Sequence, residues 1–305
     1  MESYRKYQNS ICRIPKFLNK YLELPVMQRL KDVSLLCGMD YASPHMYDFA
    51  FYISRYDHSL NVALITWKLT HDKTQTLASL FHDISTPVFS HVIDYMNEDY
   101  VEQESTEKKI VDVLLSSRDI INYLKEDNVN INDILDFKKF STVDLPRPAL
   151  CADRLENLIG VGMAWVQDMN CEEAKQVIKS MYLSINENGQ EEISIASESI
   201  GKKLVDINKK INSLTHTDED TYMMLLLAEL VKKSIEVGLI EYDDLYRMTE
   251  HRYMDIVERN LSIDSDLKEL WYLWKTVEGP VPKQNITIKE LTLNPLVNGK
   301  RLYTK

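Results

Sequence analysis

The chain has 305 residues, long enough for one large buried core or two small ones, and a formal charge of −11 at pH 7. That charge excludes a broad Lys/Arg surface for nucleic acid or anionic membrane, although a few focused cations can still bind phosphate inside an acidic protein. No apolar run reaches bilayer length, MESYRKYQNSICRIPKF lacks a signal-peptide core, and Cys12, Cys37, Cys151 and Cys171 form no CxxC or Cys/His cluster, so a cytoplasmic protein with reduced thiols is expected.

Gly and Pro are scarce, and apolar residues recur three and four apart, which predicts a mostly α fold. Residues 23–38 read as a first helix, packing Leu30, Val33 and Leu36 and stopped by Gly38. An ordered loop through Pro44 and Phe51 leads to Arg55. Helices follow over 58–70, 74–84 and 87–97, the last with Pro87 in its first turn, and then over 105–117, 119–127 and 146–168. Residues 180–195 alternate around an Asn-Gly pair and predict a β-hairpin. Helical periodicity returns from Ser197 to about Asn260. From Pro280 the chain reads as extended, with a turn at Asn298-Gly299.

Four residues stand out because their apolar surroundings make them costly to bury alone: His58 in RYDHSLNVALITWKL, His82 and Asp83 in LASLFHDISTPVFSH, and Asp153 in LCADRLENLIG. A divalent metal ion (Mn, Fe, Ni, Zn, Co or Mg) would offset that cost, since imidazole and carboxylate ligands suit such ions and four ligands leave positions open. Adjacent helical residues point about 100° apart, so His82 and Asp83 reach one ion only if it sits beside a helix end. Three helices would then converge on it. Arg55, three residues before His58, and Arg154, directly after Asp153, are candidate phosphate clamps. His91 and Asp94 lie three apart on a predicted helix, where Asp94 can orient His91 as a proton carrier for the leaving oxygen.

The order His, His-Asp, distant Asp resembles the signature of the HD-domain metal-dependent phosphohydrolases. ELPVMQRLKDVSLLCGMDYASP at 23–44 followed by RYDHSLNVA is similar to the "P-x-x-QRL…G…P…RxxHSxGV" opening of their deoxynucleoside triphosphate triphosphohydrolase branch. FHDISTPVFSH at 81–91 is similar to "HDxGHxPFSH", and ADRLENL at 152–158 to "DADRLDYL". The resemblance implies an HD-domain helical bundle with a small β-hairpin and an extended C-terminal segment. It divides the chain into an N-terminal extension (1–22), a metal-binding core (23–175) and a helical C-terminal part (176–305) packed on it as one body. It also implies a nucleotide substrate, with phosphate contacts from Arg55 and Arg154 and a pocket role for His91 and Asp94. Alternatives on the same metal chemistry are a phosphomonoesterase, a cyclic-nucleotide phosphodiesterase, or a regulatory module without turnover. The chain departs from the branch at Thr86, where the branch has a histidine, and at Ser85, Asn157 and Val161. A later histidine is also missing, with Gln103 and Glu104 in its region.

Elsewhere the residues read as structural. His45, His71, His216 and His251 are expected to be ordinary, and the acidic stretches at 172–176 and 217–220 to be solvated helix faces or caps. Trp271 and Trp274 are expected to pack a helix, or if exposed to meet a second copy of the chain in a homo-oligomer.

Overall fold

Ser54 sits in extended backbone, and its hydroxyl accepts the N–H of Asp57, which starts a helix that runs to His71 in the left-handed conformation. Asp72 then caps the next helix by accepting the N–H of Gln75. In the computed structural model, which describes residues 1–103 and 109–304, these two helices form a hairpin with a two-residue link. In chain order the helices are α1 (Glu2–Ile11), α2 (Leu18–Leu22), α3 (Pro25–Arg29), α4 (Arg55–Thr70), α5 (Lys73–Phe81), α6 (Val92–Met96), α7 (Lys109–Ser116) and α8 (Arg118–Glu126). They continue as α9 (Ala152–Ala164), α10 (Cys171–Ser180), α11 (Glu198–Thr215), α12 (Asp218–Glu236), α13 (Glu250–Arg259) and α14 (Ser265–Thr276). The fold is mostly α, as composition and periodicity predict.

The Asn-Gly hairpin forms between β1 (Met181–Ile185) and β2 (Glu191–Ile195), paired antiparallel with Met181 opposite Ile195. The extended C-terminal segment adds β3 (Leu296–Val297) parallel to β2 and β4 (Lys300–Arg301) beyond it, turning at Asn298-Gly299. Main-chain hydrogen bonds thereby tie the end of the chain to the hairpin.

Apolar side chains gather in two cores. The first joins α1–α5, α7–α11 and the sheet, and includes Leu60, Leu77, Leu80, Phe81, Leu155 and Ile159. The second joins α6 and α12–α14 with Met39, Val88 and Phe89, and holds Trp271 and Trp274, which are therefore packing residues. Each fully buried large side chain contributes about 1.5–3 kcal/mol. The 1–22 segment belongs to the first core, with Tyr4, Tyr7 and Ile11 buried in it.

Several predicted boundaries move. The helix expected over 23–38 ends at Arg29, because Val33 turns extended and Ser34 pairs with Ser54 in an antiparallel bridge. Gly38 stops no helix; its left-handed backbone lies where a Cβ would collide with the Phe89 ring. Of 87–97 only α6 is helical, since Phe89 and Ser90 both have positive φ. The helix of 146–168 begins only at Ala152, after a Pro-flanked loop. Residues 105–108 of the helix expected over 105–117 lie outside the described residues, as does Glu104. At 217–220 Thr217 is a cap as expected, but Asp220 is buried and accepts the Tyr47 hydroxyl at 2.8 Å. Among the described residues no helix is long and apolar enough to cross a membrane.

Candidate metal site

The three converging elements are α4, the end of α5 and the start of α9. His58 lies one turn into α4 and is buried. His82 caps the C-terminus of α5, with Asp83 in the turn beyond it, so the pair reaches sideways off the helix end as adjacent ligands require. Asp153 is the second residue of α9. Its Oδ1 lies 3.0 Å from His58 Nε2 and 3.6 Å from His82 Nε2. Asp83 Oδ2 lies 3.8 Å from His58 Nε2 and 3.6 Å from His82 Nε2. The structure thus gathers His58, His82 and Asp83 in one cluster and sets Asp153 against both imidazoles. The side chain of Asp153 is 37% exposed and that of His58 1%, so the site opens to solvent on the α9 side.

Both imidazoles are fixed through their other nitrogen. His82 Nδ1 lies 2.7 Å from the carbonyl oxygen of Ser79, which can only accept, so Nδ1 carries a proton and Nε2 is the nitrogen left to face the site. That Nε2 is buried and has no hydrogen-bond partner. His58 Nδ1 meets Glu156 Oε2, and Glu156 Oε1 accepts from the Tyr4 hydroxyl at 2.5 Å and from Asn61 Nδ2 at 3.0 Å. An imidazole held by a carboxylate on one nitrogen while the other faces two further carboxylates is the arrangement that orients metal-ligating histidines. An orphaned buried Nε2, a second one aimed at the same point and two anionic carboxylates fit a divalent ion.

The electrostatics agree. Burial opposes a charged imidazole at His58, yet Glu156 and Asp153 outweigh it and raise its pKa to about 10. At His82 burial is likewise outweighed by Asp83 and Asp153. Burial works against the Asp83 and Asp153 anions too, but Arg55 and His82 hold Asp83 well below the usual carboxylate range, and the two imidazoles do so for Asp153. A field that draws a proton onto Nε2 also favours a cation there.

The remaining predicted residues take defined places. Arg55 is buried, donating Nη1 to Asp83 Oδ2 at 2.8 Å and Nε to Ser90 Oγ at 3.1 Å, so it braces a candidate ligand. Arg154 points into the loop before α9, donating Nη2 to the Leu145 carbonyl at 2.9 Å and Nη1 to that of Ala149. His91 Nδ1 pairs with buried Asp94 at 3.0 Å, and the His91 side chain is half exposed. Thr86 closes the turn after the pair, its N–H on the Asp83 carbonyl at 2.9 Å. Of the ordinary histidines, His251 pairs with Asp32 at 2.5 Å.

Sequence reasoning missed Glu156, Asn61, Tyr4 and Ser79. One signal was available: Glu156 follows Asp153 by three residues and Asn61 follows His58 by three, so each shares a helix face with a ligand. Asp144, Cys151 and Asp153 form a second close group. Burial pushes the Cys151 thiol up to about 11, against the pull of Arg154, which leaves it a poor thiolate ligand.

No family model matches the chain. A stretch of 105 residues, 34% of the chain, is 30% identical to the uncharacterized protein YdhJ of Bacillus subtilis, and 129 residues, 42% of the chain, are 25% identical to the metal-dependent phosphohydrolase cns2 of Cordyceps militaris. The matches span 32% and 36% of those proteins' own lengths. The second match is a distant likeness to a metal-dependent phosphohydrolase, and the grouping of His58, His82 and Asp83 offers a candidate site for a divalent ion.

Proposed function

We propose that this protein is a metal-dependent phosphohydrolase acting on a nucleotide, with a deoxynucleoside triphosphate as the substrate class. The observation that carries the reading is the pair of imidazoles locked at Nδ1, with both Nε2 atoms turned to Asp83 and Asp153. On this reading His58, His82, Asp83 and Asp153 hold the ion, within a core of residues 23–175 to which the 1–22 segment lends Tyr4. A divalent ion supplies Lewis acidity, polarising a phosphoryl oxygen and making water more acidic.

The chain's own groups do the rest. Arg55 holds Asp83 ionised and in place, and its guanidinium adds positive charge for a phosphate. Arg154 serves the site as an anchor for the 145–149 loop, where Nη1 and Nη2 donate to main-chain carbonyls. Asp94 fixes Nδ1 of His91, so that His91 Nε2 can pass a proton to the leaving oxygen. Water oxygen bonds to the α-phosphorus, the bond to the 5′-oxygen breaks, and that oxygen takes the proton, giving nucleoside and tripolyphosphate. The four free cysteines suit a cytoplasmic setting.

A second reading keeps the metal chemistry for a nucleoside monophosphate, a cyclic nucleotide or another phosphoester. Thr86 favours it, because the resembled branch places a histidine at this position beside the pair. The test is a nucleotide panel with Mn, Ni, Co, Fe, Zn and Mg, assayed for phosphate with and without added pyrophosphatase, on wild type and Thr86→His at matched metal occupancy. Triphosphate hydrolysis that rises in Thr86→His relative to monophosphate hydrolysis supports the leading reading. A fall or no change, with another phosphoester turned over, overturns the triphosphate assignment, and bound metal without turnover on any substrate identifies a regulatory module.

A further inference from the structure

Glu250 opens α13, far from the metal ligands in sequence, and its side chain is fully buried. Its Oε1 accepts two main-chain N–H groups, from Ser34 and Phe89, each at 3.0 Å. Its Oε2 is buried with no hydrogen-bond partner. The turn it grips is an unfavourable one: Phe89 has φ 62° and Ser90 φ 50°, two consecutive non-glycine residues in the left-handed region, which persist only where surroundings hold them. Further contacts brace the same turn from the second core, with the Phe89 ring edge-on to Tyr253 at 5.0 Å and filling the space left by Gly38. Arg29 links the two sides, donating to the carbonyls of Thr86 at 2.6 Å and Met248 at 3.3 Å.

From this turn an unbroken line of hydrogen bonds reaches the site. Ser90 Oγ donates to the Ser34 carbonyl and accepts from Arg55 Nε, both at 3.1 Å, and Arg55 Nη1 reaches Asp83 Oδ2 at 2.8 Å. We propose that Glu250 is a positioning residue: by holding the amides of Ser34 and Phe89 it keeps the Phe89–Ser90 turn left-handed, which sets Ser90 on Arg55 and Arg55 on Asp83. The inference rests on the metal-site reading above. It makes α13 of the second core part of the machinery that fixes a ligand in the first. Burial, reinforced by Asp40 and Asp32 and opposed by the two amides, lifts the Glu250 carboxyl to about 8. A glutamine can stand in for this group, because its carbonyl oxygen also accepts two N–H groups.

The experiment is a double-mutant cycle on the full chain, with Mn²⁺ affinity of metal-stripped protein as the readout and amide hydrogen exchange over the 85–92 segment beside it. Glu250→Ala is expected to weaken Mn²⁺ about tenfold or more, as loss of ligand-orienting partners does, and to speed exchange at Phe89, while Glu250→Gln stays within about twofold of wild type. Ser90→Ala breaks the same line, so Glu250→Ala/Ser90→Ala is expected to be no weaker than the weaker single variant. Should Glu250→Ala fail to fold, Glu250→Asp, which withdraws the accepting oxygen by one methylene, takes its place in the cycle. Additive effects, or unchanged Mn²⁺ affinity together with faster exchange, overturn the proposal and leave Glu250 a packing residue. Failure of wild type to bind Mn²⁺ or any of Ni, Co, Fe, Zn and Mg overturns the metal-site reading itself, and this inference with it.

Discussion

Two sets of carboxyl groups set into this fold behave in opposite ways. At the candidate site, Asp83 and Asp153 are held below the ordinary carboxylate range although burial works against their charge, because Arg55, His58 and His82 face them. Around the second core, burial dominates: Asp40 is raised to about 6, Asp220 to about 7 and Glu250 to about 8. Their donors are the Ser34 hydroxyl for Asp40, the Tyr47 hydroxyl for Asp220, and two amides for Glu250. A hydroxyl or amide stabilises the anion less than an adjacent cation does, so burial raises these groups while those of the site are held low. The contrast separates acids that build a fold from acids poised to hold a cation.

The most severe way to break the first set is to remove a ligand. His82→Ala and Asp83→Ala are each expected to lose bound divalent metal and hydrolysis while keeping wild-type helical content, since Leu80 and Phe81 carry the local packing. Metal analysis of dialysed protein beside far-ultraviolet circular dichroism checks this. Full metal content in either variant would remove the residue from the site.

A milder change tests the outer support. Glu156→Gln removes the carboxylate that orients His58, and metal affinity is expected to fall about 10–100-fold, with the ion still bound at high concentration. Competition against a metal indicator measures it. Unchanged affinity would mean that packing alone sets the His58 ring.

The smallest effect sharpens the second set. Between the ordinary value of 3.8 and about 7, folded Asp220 retains a proton that the unfolded chain has released. The folded state therefore binds more protons in that window, and stability falls as pH rises through it, then levels off. The depressed Asp83 and Asp153 have the opposite sign, adding stability above the ordinary range that is lost as pH falls through their lowered values. Asp220→Asn is expected to flatten the decline of Tm between about pH 5 and pH 7 without touching metal affinity. An unaltered slope would show that Asp220 is ionised in the folded state.

Residue types and their local spacing were enough to read the helical class and the hairpin at the Asn-Gly pair, because caps, turns and apolar periodicity act over a few residues, and they singled out the four residues proposed to hold a metal. Those four stood out by their joint order, since a lone histidine in an apolar helix reads as an ordinary packing residue. What only the tertiary structure decided lay in long-range partners. Ser34 pairing with Ser54 cut short the helix expected over 23–38, and the Phe89–Ser90 turn, gripped by a residue some 160 positions away, removed the first turn of the helix expected from 87. Asp220 stands in an acidic string that local composition assigns to solvent, and Arg154 beside a ligand turns to the carbonyls of its own loop. Charge sequence alone cannot distinguish a guanidinium that meets a phosphate from one that meets a carbonyl, nor an acid that meets a cation from one that meets a hydroxyl. Those outcomes depend on which distant donors and acceptors the folded chain brings within about 3 Å, where hydrogen bonds form.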